Sequence, residues 1–226
     1  CMLRRMGGGN AEASLAVLVQ GLRKVDRPAL QLIYLKAIRE SWKGVRRASA
    51  PKGWSSTSKE LLASSDDAVR LQAIALGVTF GDASALDVMR QQVSDDQSST
   101  TDRLVALRSL LDANDAGLVS TLVSLLGDQD DLSEAAIRGL AQYDDPAVAP
   151  ALLQVYGDLT PVQKRMALGT LSSRVGSGEA LLKAIEAKKI PGADLTADLV
   201  RQLQFHDSKS IEALLKNVWG TVRKSA

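Results

Sequence analysis

Few side chains in this chain could take part in catalysis or bind a metal ion. Its 226 residues include one cysteine, Cys1, and one histidine, His206. A single cysteine excludes an internal disulfide and a cluster of thiolate ligands, and a single histidine excludes a multi-histidine metal site. We therefore expect no catalytic residue, no metal site and no cofactor bound by this chain itself.

His206 follows Gln204 and Phe205 between two predicted helices. It could act as a general base or supply an axial ligand to haem in a neighbouring domain. A histidine at the C-terminal end of a helix also interacts favourably with the helix dipole, and we favour that structural interpretation.

Aspartates cluster in three places and could suggest a cation site. The clusters are Asp95-Asp96, Asp128 with Asp130-Asp131, and Asp144-Asp145. None has the alternating ligands, central glycine and terminal glutamate of a calcium loop. Because the clusters recur at repeat boundaries, we interpret them as caps of helix N-termini.

The candidate protein-binding residues are Trp54, Lys52, Arg46 and Arg47. They lie in segment 46–58, whose Ser, Lys, Arg and Pro content predicts a long exposed loop. Tryptophan is enriched at interaction hot spots, so we expect Trp54 on this basic loop to contact a protein partner. The alternative is that Trp54 folds back onto the helices.

The charge is uneven along the chain, although the net charge is only +2. Residues 1–60 are basic, with 12 Lys/Arg and 4 Asp/Glu, and residues 161–226 are basic too, with 11 Lys/Arg and 6 Asp/Glu. Residues 61–160 between them are acidic, with 5 Lys/Arg and 16 Asp/Glu. A nucleic-acid-binding protein needs a continuous basic surface, because each phosphate contact needs its own cation. We therefore expect no nucleic-acid partner. We also expect no membrane span, since no apolar run approaches roughly 18 residues.

The first ten residues show neither an initiator methionine nor the apolar core of a signal peptide. We expect residues 1–10 to be a flexible fragment and the chain to come from the middle of a longer protein. The alternative is a mature bacterial lipoprotein, which also begins with cysteine.

The rest of the chain has apolar residues at three- and four-residue spacing and no strict alternation, which predicts an all-α fold. An internal repeat supports this prediction. Small or apolar anchors recur 30 to 33 residues apart, and a leucine stands four positions after each of the last four. The anchors are Ala73, Ala106, Ala136, Ala167 and Leu199, and the leucines are Leu110, Leu140, Leu171 and Leu203.

Nine residues after each anchor stands a residue that favours helix N-caps, as the second helix of a hairpin requires. These residues are Asp82, Asp115, Asp145, Gly176 and Ser208. The pattern predicts five two-helix units from about Ser64 onward, preceded by a helix pair at 11–25 and 27–45. About six hairpins stacked side by side would form an α-α superhelix, which we treat as one domain over residues 11–226.

The segment from Asp66 to Gly77 resembles the HEAT-type repeat of armadillo-type folds, in which Asp and Arg recur along one ridge. The ridge is incomplete here. The equivalents of Arg70 are Arg103 and Lys164 in two repeats, but Ser133 and Thr196 in the others.

The last sixty residues resemble the helical segment of large haem-binding proteins of planctomycetes and verrucomicrobia, of the membrane-bound dehydrogenase type. The matching elements are Leu159 to Arg165, Leu181 to Glu186, Ile190-Pro191, Asp194-Leu195, Val200 to Leu203 and Val218 to Arg223. In that family a β-propeller similar to sugar dehydrogenases precedes the helical region, and a cytochrome c-like domain with a C-x-x-C-H motif follows it. The resemblance implies a linker module, a periplasmic or other extracytoplasmic location, and haem only in the downstream domain. It transfers no haem or dehydrogenase residue to this chain.

The leading hypothesis is a non-enzymatic scaffold that docks protein, either neighbouring domains of its own chain or another protein. An alternative is a helical-repeat alkylpurine DNA glycosylase, a nucleic-acid-binding enzyme that resembles this chain in length and architecture. That enzyme needs a strongly basic groove, and the acidic middle segment does not supply it. A repeat protein similar to bilin lyases is a second alternative, for which one cysteine and one histidine offer no evident pigment site.

Overall fold

The computed structural model describes residues 8–41, 48–127 and 130–220, with side chains from Leu15 onward. These residues form thirteen α-helices and no strand, which confirms the all-α prediction. The helices are α1 (Gly8–Leu22), α2 (Pro28–Ser41), α3 (Trp54–Leu62), α4 (Asp67–Phe80), α5 (Ala83–Ser94), α6 (Thr100–Asp112), α7 (Val119–Ser124), α8 (Asp131–Leu140), α9 (Val148–Val155), α10 (Pro161–Leu171), α11 (Val175–Glu186), α12 (Ala197–Gln204) and α13 (Lys209–Val218).

Five helix pairs follow one another from residue 67 onward, as the repeat predicts. The pairs are α4/α5, α6/α7, α8/α9, α10/α11 and α12/α13. Four of the five anchors are at most 1% exposed, so the first helix of each of those pairs turns the expected side to the core. The fifth differs by one position, because Leu199 is half-buried and Val200 is buried in its place.

Two predicted N-caps stand immediately before their helices. Asp82 precedes α5, and its Oδ1 accepts a hydrogen bond from the Ala85 amide at 3.1 Å. Ser208 precedes α13. Asp115 comes before a short 3₁₀ turn, 116–118, that leads into α7. These positions are the ones where a side-chain oxygen can satisfy a free amide of the first turn.

The other two predicted caps do not stand at helix starts. Asp145 Oδ1 accepts from the Ala147 amide at 2.8 Å in the turn that precedes α9. A cap at Gly176 is wrong, because α11 begins at Val175 and Arg174 precedes it in an extended conformation. Glycine occurs both in turns and in the first turns of helices, so Gly176 located the start of α11 only to within two residues.

The chain divides into two compact units, residues 1–115 and 116–226. The single domain over 11–226 stays a prediction. In the first unit, α1 begins at Gly8, so residues 8–10 are helical, and the flexibility of residues 1–10 stays a prediction. Residues 1–7 lie outside the described part of the chain.

The first unit also contains a helix that the sequence pattern missed. Segment 46–58 was expected to be a loop, but α3 begins at Trp54 and packs against α1, α4 and α5. The loop prediction is wrong here because α3 turns hydroxyl side chains inward. Thr57 Oγ1 donates to the Gly53 carbonyl at 2.9 Å, and the buried Ser58 Oγ donates to Asp82 Oδ1 at 3.2 Å.

In the second unit, helices contact those of adjacent pairs. The second helices α7, α9, α11 and α13 contact one another in chain order, and α8 contacts α10. Leucines fill the space between them, and Leu140, Leu152, Leu171 and Leu181 are completely buried. Each substantial contact among the described helices of this unit joins a pair to itself or to the next pair, as stacked repeats require.

Candidate interaction surface

Polar side chains join neighbouring helix pairs of the second unit at separations of one repeat. Thr170 Oγ1 donates to the Ile137 carbonyl at 2.8 Å, across 33 residues. Arg174 Nη2 donates to the Gln142 carbonyl at 3.0 Å, across 32 residues. Because a buried polar group is costly when unpaired, these bonds favour one register between adjacent pairs.

His206 belongs to the same set of bonds. It lies in the turn after α12, and its Nε2 is 2.8 Å from the Ser172 carbonyl oxygen. A carbonyl oxygen only accepts, so Nε2 carries the proton and donates it. In this arrangement Nε2 is neither a base nor a ligand, and the geometry favours the structural interpretation of His206.

Basic residues at equivalent repeat positions reach back to the segment before their own helix. Arg70 Nη1 and Arg103 Nε each donate to a main-chain carbonyl at 2.7 Å, one just after α3 and the other in the last turn of α5. Lys164 Nζ lies 5.5 Å from the centre of the Tyr156 ring, within cation–π range. The residues of this incomplete ridge therefore connect their helices to the segment that precedes each of them.

Arg90 of α5 forms an ion pair with Asp115, in the turn after α6, and another with Asp87. Burial lowers the pKa of Arg90, but the hydrogen bonds to Asp115 and Asp87 outweigh burial and raise it overall. Asp115 is itself buried, so the pair is shielded from solvent screening on one side. The pair links α5 to the turn after α6 within the first unit.

Tyr156 forms a similar link in the second unit. Its hydroxyl donates to Asp194 Oδ2 at 2.8 Å, across 38 residues. Burial, followed by the hydrogen bond and the charge of Asp194, raises the pKa of Tyr156 well above its ordinary value. The phenol is therefore held neutral in the folded chain.

A groove runs between α9 and α11 in the second unit. One hollow of about 490 Å³ lies at the N-terminal ends of the two helices, and one of about 590 Å³ lies towards their C-terminal ends. Pro150 and Ala180 line both hollows, so the two hollows adjoin along the groove. Its floor consists mainly of small or apolar side chains, including Ala149, Leu153 and Ala184.

The two ends of this groove carry opposite charges. Asp144 and Asp145 line the N-terminal end, and Lys183 and Lys189 line the C-terminal end. All four residues are exposed. Sequence reasoning missed the groove because its two ends are brought together only by the packing of α9 on α11, and the paired aspartates were interpreted as caps alone.

No protein-family model matches this chain. No curated protein matches it either. Among the described helices, none is both long and apolar enough to cross a bilayer.

Of the four residues predicted to contact a partner, the structure describes two. Lys52 is exposed. Trp54 is 0% exposed, and its ring packs edge-on against Phe80 with centroids 5.0 Å apart. The prediction that Trp54 is exposed is therefore wrong, and the alternative, that it folds back onto the helices, is confirmed. An enclosed indole offers no surface to a partner. Arg46 and Arg47 lie outside the described residues.

Aspartates in the described parts of the acidic clusters accept hydrogen bonds near helix ends. Asp130 Oδ1 accepts from the Ser133 amide at 2.8 Å, as an N-cap of α8. Asp95 accepts from Ser98 Oγ at 2.8 Å, and this bond lowers the pKa of Asp95. Asp128 lies outside the described residues. Within 8–41, 48–127 and 130–220, no three His, Cys, Asp or Glu side chains form a group that could hold a metal ion.

Proposed function

We propose that this chain is a non-enzymatic scaffold, in which HEAT-like hairpins form an α-α superhelix that docks protein. The order of contacts in the second unit is the observation that carries the proposal. There, the substantial contacts join each described helix pair to itself or to its chain neighbour. Repeats that rely on nearest neighbours expose long, continuous surfaces, which repeat proteins use for docking.

The use of polar side chains supports the same function. Thr170, Arg174 and His206 each bond to a main-chain carbonyl of the preceding helix pair. Their bonding capacity goes into holding neighbouring repeats in register. A rigid stack of this kind suits a protein that positions other domains.

We further propose that the parent is a haem-binding protein, in which this module links a propeller similar to sugar dehydrogenases to a cytochrome c-like domain. The resemblance of the last sixty residues supports this assignment. Within it, Thr160 and Gln163 form a reciprocal cap at the start of α10, with bonds of 3.2 and 3.0 Å, and Pro161 occupies the first helical position. The matched segment thus fixes where a repeat begins.

The direct experiment combines the purified chain with a propeller and a cytochrome c-like domain of that family, each produced separately. Size-exclusion chromatography with light scattering should detect a complex that contains all three at micromolar concentration, and the chain alone should show no redox turnover. If neither domain binds, the proposed linker role between those two domains is wrong. If the chain instead shifts duplex DNA at physiological salt, the scaffold proposal is wrong and the glycosylase alternative gains support.

A further inference from the structure

The groove between α9 and α11 fits one kind of occupant. We propose that it binds an extended peptide segment of a partner protein, with basic side chains over Asp144 and Asp145 and acidic side chains over Lys183 and Lys189. This inference rests on the proposed docking function and adds the chemistry of the partner. Three properties of the groove support it, namely its width, its length and its charges.

The width of the groove favours an extended chain over a helix. Axes of packed neighbouring helices lie about 8–10 Å apart, whereas a helix with its side chains is about 10–12 Å across. A partner helix would therefore rest on top of α9 and α11. An extended backbone is narrower edge-on, since hydrogen-bonded strands lie about 4.8 Å apart, and in that orientation it can enter the furrow. The small side chains of Ala149, Ala180 and Ala184 leave room for it.

The length of the groove sets the spacing of charges in the partner. Ser177 lines the acidic end and Ala187 lines the basic end, both on α11 or its last turn. At a rise of about 1.5 Å per residue they are about 15 Å apart along the helix axis. An extended peptide rises about 3.3 Å per residue, so about five residues cover this distance. The partner segment should carry basic and acidic groups separated by that many uncharged residues.

At the acidic end, Asp145 Oδ1 accepts from the Ala147 amide, which holds the carboxylate at the mouth of the groove. Arg174 lies at the same end, but its guanidinium donates to the Ala141 and Gln142 carbonyls just after α8. Two aspartates and one arginine therefore leave a negative net side-chain charge at this end, and the guanidinium is already engaged with main-chain carbonyls.

At the basic end, Lys183 Nζ is 3.9 Å from Glu179, which is a loose pair between exposed groups. Such pairs contribute little and exchange readily with another carboxylate. Lys189 follows the end of α11, where a cation is favoured by the helix dipole. Both ammonium groups are therefore available to an incoming acidic side chain.

The test uses two fluorescein-labelled peptides of about nine residues, a length set by the groove. One has two lysines, a central stretch of Ala, Leu and Ser, and two glutamates, and the other has the same composition with the charges interleaved. Fluorescence anisotropy with the full chain at low ionic strength should show about fivefold tighter binding of the first peptide, and added salt should remove most of the difference.

Charge reversals then locate the site. Asp144→Lys and Lys189→Glu should each weaken binding of the first peptide about fivefold, because each cancels the charge of the remaining Asp145 or Lys183 at its end of the groove. The double variant should bind both peptides equally weakly, since neither end of the groove then carries a net charge from these residues. Ala187→Trp should block binding without changing the thermal midpoint. Lys209→Glu, at the start of α13 and outside the groove lining, is the matched control and should leave affinity unchanged.

The proposal is overturned if the two peptides bind equally, or if neither charge reversal affects affinity. It is also overturned if a helix-forming peptide binds better than the extended one. If the complex with the propeller and cytochrome domains forms with unchanged affinity in these variants, the groove assignment is wrong but the scaffold proposal still holds. When that complex does not form but peptide binding follows charge order, the groove assignment holds and the choice of partner domains fails.

Discussion

Gly178 of α11 tests how adjacent helix pairs pack. A Cβ at this position would lie 2.6 Å from Leu203 Cδ2 on α12 and 3.4 Å from Ile211 Cδ1 on α13. Both side chains are completely buried, so neither has open space to turn into. Gly178→Ala is therefore expected to force α11 and the last helix pair apart.

Gly176 provides the matched control. It lies two positions earlier in the same helix, and a Cβ there meets no atom within 4 Å. Alanine gains up to about 1 kcal/mol over glycine in a helix at either site. Overfilling a packed core costs about 1–3 kcal/mol. The free energy of unfolding of Gly178→Ala should thus be about 1–3 kcal/mol below that of Gly176→Ala, since the propensity gain cancels in the comparison.

Urea unfolding followed by far-UV circular dichroism measures this difference. Adding Leu203→Ala to Gly178→Ala should cost less than the sum of the two single changes, because the new methyl group enters space that the shorter side chain leaves. Equal unfolding midpoints for the two alanine variants would refute the described packing of α11 on α12 and α13.

Three further predictions concern the core and its polar links. The pKa of Tyr156 is raised on folding, so its contribution to the free energy of unfolding is fully present below the unfolded pKa of about 10 and falls by about 1.4 kcal/mol per pH unit above it. Tyr156→Phe should therefore flatten the alkaline decline in the urea unfolding midpoint. An unchanged slope would count against the hydrogen bond to Asp194. Trp54→Ala should cost about 3–5 kcal/mol in chemical unfolding, as for a core aromatic, whereas a loss below about 0.5 kcal/mol would indicate a surface residue. Thr170→Val keeps the shape of the side chain but leaves the Ile137 carbonyl without this donor. It should lower the free energy of unfolding by about 1–3 kcal/mol in the same measurement. A neutral result would mean that this hydrogen bond does not hold the two helix pairs in register.

The helix pairs could be predicted because each must bury one apolar face against the next. Ala106, Ala136 and Ala167 recur at one-repeat spacing and are all in the core. The hydrophobic pattern failed for α3, whose inward face includes Thr57 and Ser58. Their hydroxyls are satisfied by a carbonyl and a carboxylate, so polar composition there does not mean exposure.

The interaction surface was much less accessible to sequence reasoning. Tryptophan on a basic segment is a statistical signal for binding, but the same indole gains more by burial against Phe80. The groove depends on two helices whose charged ends lie far apart in the sequence, such as Asp144 and Lys189. A local pattern contains no information on which helices become neighbours, so only the packing of α9 on α11 reveals it.

Small-angle X-ray scattering of the purified chain tests the central claim, that its hairpins stack into a superhelical scaffold. A compact domain of 226 residues has a radius of gyration of about 17 Å. Stacked repeats predict a value clearly above about 20 Å and a pair-distance distribution with a long tail. A radius near about 17 Å with a symmetric distribution would contradict the claim, because the repeats would then have closed into a globular bundle.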